Sequence, residues 1–81
     1  MKVIENIESY SSLIHMLSSY KGSEKTFGLY FSLDINVEEK EIERIFVDFG
    51  YKVHEIHYLD WRTGPKNYHG NCVDYYTVCL E

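Results

Sequence analysis

Strict alternation over nine positions, Phe27 to Ile35, is the feature that most constrains the fold of this 81-residue chain. The odd-numbered positions carry large apolar side chains. The even-numbered positions between them are polar, small or amphipathic: Gly28, Tyr30, Ser32 and Asp34. Successive side chains of a β-strand point to opposite faces of a sheet, so the pattern predicts a strand with one buried face and one exposed face.

A helix is predicted before this strand, over positions 7–20. Its apolar residues recur at spacings of three and four, which places them on one helical face: Ile7, Tyr10, Ile14 and Leu17. Asn6 is the expected N-cap. Gly22 is the expected left-handed residue that ends the helix.

A second helix is predicted after the strand. Asn36 is followed three residues later by Glu39, which has the form of a capping box. The apolar face of this helix is expected to be Ile42, Ile45, Phe46 and Phe49. Gly50 follows the last of these and is expected to end the helix.

Two further strands are predicted in the C-terminal half, at positions 51–61 and 72–80. The first has apolar residues on both faces, because Val53 and Leu59 share one parity while Ile56 and Tyr58 share the other. A β-bulge would reconcile this pattern, and so would burial of both faces. Positions 62–71 hold Gly-Pro and Gly-Asn pairs, which predict a long loop.

The order α-β-α-β-β predicts a small α+β domain that spans residues 1–81. Strand, helix and strand imply a right-handed parallel crossover. The third strand can insert antiparallel between the first two, which gives a three-stranded mixed sheet with two helices on one face. This is the split β-α-β half of a ferredoxin-like fold. A meander with the strands in chain order is the alternative.

The net charge of the chain favours some classes of partner over others. The chain has 13 acidic and 8 basic residues, a net charge of −5. Nucleic-acid binding depends on Lys and Arg that neutralise phosphates, so no direct nucleic-acid contact is expected. A basic protein surface would be attracted, although a charge of this size also serves solubility alone.

No apolar run is long enough for a membrane span, and positions 1–8 lack the order of a signal peptide. We therefore expect a cytoplasmic protein without membrane contact. In that compartment Cys72 and Cys79 are expected to be free thiols.

The sheet face opposite the helices is the first candidate site. It is expected to carry Tyr30, Ser32 and Asp34 from the first strand, and Asp74, Tyr76 and Val78 from the third. His54, Ile56 and Tyr58 of the second strand would join them if the register holds. Exposed Tyr side chains combine apolar area with a polar group and are typical of protein interfaces, although Tyr also simply favours strands.

The predicted loop is the second candidate, because it holds the one local cluster of basic and aromatic residues. These are Trp61, Arg62, Lys66, Tyr68 and His69. Long loops are often functional, and Arg and Lys can pair with carboxylates of a partner. An irregular turn with Trp61 folded onto the core is the alternative.

The second helix is the third candidate, as a face that imitates phosphates. Its acidic residues are Glu38, Glu39, Glu41 and Glu43. Lys40 and Arg44 interrupt the row, and a solvated helix face explains the same charges.

Catalytic and metal chemistry find little support in the sequence. His54, His57, His69 and Cys72 are the one metal-like set, but their spacing does not define a zinc site. Neither a phosphate-binding loop, nor a dinucleotide-binding turn, nor a nucleophile elbow is present. We therefore expect no catalytic residues, no metal and no cofactor.

These observations favour a small acidic protein-binding module that inhibits a larger partner by steric or electrostatic occlusion. The partner would be a protein with a basic surface, such as a nucleic-acid-binding enzyme. In size, acidity and Tyr content the chain is similar in type to phage-encoded anti-CRISPR and anti-restriction proteins. The alternatives are a homodimeric or small-ligand-binding domain and, second, a thiol- or metal-dependent enzyme.

Overall fold

Six elements form the described part of the chain in a computed structural model, which describes residues 1–32, 36–60, 62, 64–66 and 73–81. In chain order they are β1 (Lys2–Ile7), α1 (Tyr10–Ser19), β2 (Thr26–Phe31), α2 (Glu39–Asp48), β3 (Val53–Leu59) and β4 (Asp74–Leu80). The class is α+β, as predicted. The order begins with a strand that the sequence pattern did not predict.

The sheet has four strands in the order β1-β2-β4-β3. β1 pairs with β2 in parallel, and β4 pairs antiparallel with both β2 and β3. The predicted insertion of the last strand between the other two is therefore confirmed, and the meander is wrong. The predicted three-stranded sheet was one strand short, because Lys2–Ile7 adds β1 outside β2.

α1 begins later than predicted, because Ser9 is its N-cap rather than Asn6. The Ser9 hydroxyl accepts a hydrogen bond from the Ser12 amide, and the Ser12 hydroxyl accepts one from the Ser9 amide, each at 3.1 Å. Asn6 instead lies within β1 and has a left-handed backbone with φ 59°, where the register of β1 against β2 shifts between Ile4 and Ile7. The helix ends at Ser19 with an extended C-cap residue, Tyr20, so the predicted left-handed stop at Gly22 is also wrong.

α2 shows the predicted apolar face in part. Ile42, Ile45 and Phe46 are buried, whereas Phe49 lies after the helix and is 39% exposed. The N-cap is Glu38, which makes no side-chain capping bond, so the predicted capping box at Asn36 did not form. Gly50 follows with φ +90°, which confirms the predicted end of the helix.

One hydrophobic core lies between the helices and a single face of the sheet. Phe27, Leu29 and Phe31 of β2 are at most 1% exposed, which confirms the buried parity of the alternating segment up to Phe31. Leu13 and Leu17 of α1 join the same cluster as the buried residues of α2, so both helices cover one face as predicted. Leu33, Asp34 and Ile35 lie outside the described residues.

β3 contains the predicted irregularity. Its register against β4 shifts between Val53 and Glu55, so that Val53 pairs with Leu80 and Ile56 pairs with Val78. The shift places Val53 and Ile56 on the helix-covered face together. Leu59, paired with Tyr75, then falls on the opposite face.

The face predicted for β4 is wrong. Tyr76 and Val78 pair with Leu29 and Phe27 and are 5% and 0% exposed, so they belong to the core under the helices. The alternate residues Tyr75, Thr77 and Cys79 lie on the other face.

Candidate protein-interaction surface

We call the sheet side opposite the helices the open face. The register assigns to it eleven residues of the described strands, two or three from each strand: Val3, Glu5, Thr26, Gly28, Tyr30, Glu55, His57, Leu59, Tyr75, Thr77 and Cys79. Neither helix in the described part of the chain packs on this side, because both contribute their buried residues to the core on the other. Of the residues predicted for this face, Tyr30 is found there, whereas Ile56, Tyr58, Asp74, Tyr76 and Val78 lie on the helix-covered side.

An aromatic pair lies at the centre of the open face. Tyr30 and Tyr75 are directly opposite on β2 and β4, with ring centroids 4.7 Å apart and ring planes inclined at 50°. Leu59 of β3 pairs with Tyr75 from the other side. The three side chains therefore form a row across three strands, and cross-strand pairs of this kind stabilise a sheet.

Gly28 allows Tyr75 to lie flat on the sheet. A Cβ atom on Gly28 would stand 2.6 Å from the Tyr75 Oη and 3.2 Å from its Cε1. The Tyr75 hydroxyl donates a hydrogen bond of 3.6 Å to the Met1 Sδ, which lies over the same glycine. Tyr75 is consequently only 9% exposed although it lies on the open face.

Exposed apolar side chains surround the aromatic pair. Met1, Val3 and Leu59 are 60%, 46% and 44% exposed. Val3 lies on one edge strand and Leu59 on the other, so apolar surface extends across the whole width of the sheet. Contiguous apolar surface on a small domain is typical of an interaction site.

The charges that the described strands bring to the open face are acidic. Glu5 and Glu55 lie on it, and the open-face residues of those strands include no Lys or Arg. His57 Nε2 is 3.1 Å from Glu55 Oε1, so a protonated His57 forms an ion pair there. Burial of the Tyr30 hydroxyl raises its pKa above the ordinary value, and the negative charges of ionised Tyr75 and Glu5 raise it further. Tyr30 therefore presents a neutral phenol at physiological pH.

A separate cluster on the helix-covered side consists of Tyr58, Asp74 and Tyr76. The prediction that these residues lie on the open face is therefore wrong. The Tyr58 hydroxyl donates to Asp74 Oδ1 at 3.2 Å, and the rings of Tyr58 and Tyr76 are 4.8 Å apart. The Tyr76 hydroxyl donates to the Val37 carbonyl oxygen at 3.4 Å. Tyr58 is 49% exposed at the margin of this side, whereas Tyr76 is a core residue.

The predicted loop site can be followed only at Arg62 and Lys66. Arg62 Nη2 donates to Asp60 Oδ2, and its backbone amide donates to Asp60 Oδ1, both at 2.9 Å. This local pair raises the pKa of the Arg62 guanidinium. Lys66 is exposed. Trp61, Tyr68 and His69, like Asp34, lie outside the described residues, so their predicted roles stay predictions.

The four glutamates proposed as a phosphate-mimic face do not lie in one row. Rotation of about 100° per residue places Glu39 and Glu43 on one flank of α2 and Glu41 on the other. The line between the two flanks passes through Lys40 and Arg44, and Arg44 Nη1 is 3.7 Å from Glu41 Oε1. Glu38 precedes the helix, and its backbone amide donates to the Tyr10 hydroxyl at 2.8 Å. The helix therefore presents mixed charge to solvent.

Over the described ranges, no group of three or more His, Cys, Asp or Glu residues is arranged to hold a metal ion. Cys79 is a partly buried free thiol. Cys72 and His69, the pair considered for thiol or metal chemistry, fall outside those ranges. Neither described helix has the length and apolar composition that crossing a membrane requires.

No protein-family model matches the chain, and no curated protein or solved structure matches it. A proposal for its function therefore depends on the residues and geometry of the chain itself.

Proposed function

We propose that this chain is a cytoplasmic protein-binding module that inhibits a larger protein by covering a basic surface on it. The contact is made by the open face, and the row Tyr30, Tyr75 and Leu59 is the observation that carries the proposal. Such an inhibitor would be similar in type to the phage-encoded anti-CRISPR and anti-restriction proteins.

Apolar area supports a protein as the partner. Met1, Val3 and Leu59 offer exposed aliphatic and thioether groups, and Tyr30 adds a neutral phenol. Tyr is enriched at binding hot spots, and flexible Met side chains adapt to irregular partner surfaces. Tyr75 packs over Gly28 and against Tyr30, so the centre of the open face is ordered before binding. This order reduces the conformational entropy lost on association.

Charge supports a basic protein rather than a nucleic acid. Sheets that bind RNA through stacked aromatic rings also need Lys and Arg for the phosphates. The described open-face residues instead bring Glu5 and Glu55, and the whole chain carries a net charge of −5. The same charges would speed association with a basic surface.

Size indicates that the contact extends beyond the strands. Four strands about 4.8 Å apart and about 20 Å long present roughly 400 Å² in projection. A stable interface buries about 800 Å² on each partner. Residues beyond the strands, such as Arg62 after β3, would supply part of the remainder, which keeps the predicted role of Arg62 in partner binding open to test.

The experiment is affinity capture from a nuclease-treated lysate of the native host, with partners identified by mass spectrometry and then purified. Titration of the purified partner with Tyr30→Ala should show binding weaker by about 2 kcal/mol, or roughly thirtyfold, because a hot-spot side chain is lost. Leu59→Ala should weaken binding less, and affinity should fall as salt is raised.

Val47→Ala is the matched control for Leu59→Ala, since Val47 is similarly exposed, at 51%, but lies on α2. It should bind with the affinity of the unmodified protein. If Tyr30→Ala and Leu59→Ala are folded by circular dichroism and bind the partner with unchanged affinity, the open face is not the contact surface. Recovery of the bait alone, with a melting temperature that depends on protein concentration, would support the homodimer instead.

A further inference from the structure

We infer that the groove between the outer edge of β1 and α1 binds an extended acidic peptide, which adds to the sheet as a strand beside β1. This site shares Val3 and Glu5 of β1 with the open face, but the rest of its lining lies elsewhere, and it does not depend on the proposed function. It has a volume of about 560 Å³, and strand and helix line it on opposite sides.

The backbone of β1 provides the first part of the recognition. β1 is an edge strand of six residues whose pairing is regular from Lys2 to Ile4, and within the described part of the chain its one strand neighbour is β2. Alternate N–H and C=O groups of an edge strand point away from the sheet and can pair with an added strand. Extended peptides bind many domains in this way, with main-chain hydrogen bonds supplying affinity.

The floor of the groove is apolar and already fixed. Met16 and Tyr20 are partly buried and pack against the core. The Tyr20 ring meets the Phe27 ring edge to face at 5.4 Å, and its hydroxyl accepts a hydrogen bond of 2.9 Å from the Glu24 amide. An apolar side chain of the peptide would therefore enter a preformed depression, which reduces the entropy lost on binding.

The charge of the groove is opposite to that of the molecule. Lys2, Lys21 and His15 line it together with one carboxylate, Glu5, whereas the chain as a whole has 13 acidic and 8 basic residues. Lys2 Nζ is 5.7 Å from the centre of the Tyr20 ring, so its ammonium group lies at the apolar floor. An acidic peptide is complementary to this lining, and a basic peptide is not.

The test is an NMR titration of the ¹⁵N-labelled protein with a synthetic peptide, acetylated and amidated, in which Glu alternates with Val. Amide shifts should be confined to Lys2–Ile7 and to the last turn of α1, and the outward amides of β1 should become protected from hydrogen exchange. The double variant Lys2→Glu/Lys21→Glu should weaken binding about tenfold, since two exposed ion pairs are replaced by repulsion.

Three controls make the result decisive. Lys40→Glu/Lys52→Glu makes the same charge change outside the groove and should bind the peptide as the unmodified protein does. The matched peptide in which Lys replaces Glu should not bind. A Glu-Val peptide with N-methylated alternate amides should bind weakly, because it cannot complete the strand ladder.

The inference is overturned if the peptide causes no shifts at millimolar concentration, or if the shifts map to the open-face residues of β2, β3 and β4. Equal binding of the Lys peptide or the N-methylated peptide would also overturn it. Protection of the outward amides of β1 in the peptide-free protein that rises with protein concentration would overturn it as well, because a second copy of the chain would then occupy this edge.

Discussion

Gly28→Ala is expected to destabilise the protein, although alanine is ordinarily the better residue in a strand. The added Cβ would stand 2.6 Å from the Tyr75 Oη and 3.0 Å from the Met1 Sδ. The Tyr75 ring must then leave its position over Gly28, and its contact with Tyr30 at 4.7 Å is lost.

Three terms set the size of this effect. Loss of the Tyr30–Tyr75 ring contact costs about 1 kcal/mol. Exposure of roughly 40 Å² of the Tyr75 ring costs about 1 kcal/mol more, at about 25 cal/mol per Å². Replacing glycine in a strand returns about 0.7 kcal/mol, because the unfolded chain has less conformational freedom. The net destabilisation is therefore about 1.3 kcal/mol.

The sign should reverse when Tyr75 is absent. In a Tyr75→Ala background the first two terms vanish, so Gly28→Ala should stabilise by about 0.7 kcal/mol. Urea denaturation followed by circular dichroism measures all four proteins of this double-mutant cycle. The coupling free energy between positions 28 and 75 should be about 2 kcal/mol. If Gly28→Ala has the same effect, in sign and size, in both backgrounds, the position of the Tyr75 ring does not depend on the missing side chain of Gly28.

Two other perturbations test separate parts of the fold. Ser9→Ala should lower the free energy of unfolding by about 1 kcal/mol, because the α1 cap is lost. Ser11→Ala in the same turn is the control and should be neutral or stabilising. Equal effects of the two substitutions would contradict the capping geometry. Burial of the hydroxyl is the main cause that raises the pKa of Tyr76 to about 12, and electrostatic repulsion from Tyr58 and Asp74 adds to it. The native state therefore keeps this proton after the unfolded chain loses it near pH 10, so stability that is complete below pH 10 should fall towards pH 12. Tyr76→Phe should make that fall shallower in urea titrations across this range, and an unchanged slope would refute the assignment.

The elements that the sequence predicted correctly are those whose apolar residues follow one clear period. β2 alternates because one of its faces is buried, and α2 has a clear apolar stripe at Ile42, Ile45 and Phe46. The crossover from β2 through α2 to β3 allowed the last strand to lie between those two strands, but it left the meander open until the observed strand order excluded it.

β1 could not be separated from α1 by periodicity. Ile7 lies three residues before Tyr10, which continues a helical spacing, but Ile7 is a fully buried residue of the strand. The helix that forms buries Leu13 and Leu17 and leaves Ile14 43% exposed. The reciprocal bonds of Ser9 with Ser12 set its start, and two serines give a weaker sequence signal than the usual Ser with Glu.

The candidate site was predicted only in part for a related reason. β4 lies between two strands and has apolar or aromatic residues at both parities, such as Tyr75 and Tyr76. Its own alternation therefore cannot say which face is buried, and the pairing with β2 decides it. Tyr30 was placed correctly because β2 has one clearly apolar parity.

β4 is synthesised last of the six described elements but lies inside the sheet, between β2 and β3. Until it leaves the ribosome, those two strands have no hydrogen-bonded neighbour in common and must stay about 10 Å apart to admit it. We therefore expect the nascent chain to complete its fold only after translation of β4, with β1, α1 and β2 as the one unit that can pair earlier. The same order of assembly makes β4 a natural fragment for complementation, in which a separately supplied strand restores the fold of a chain that ends before it.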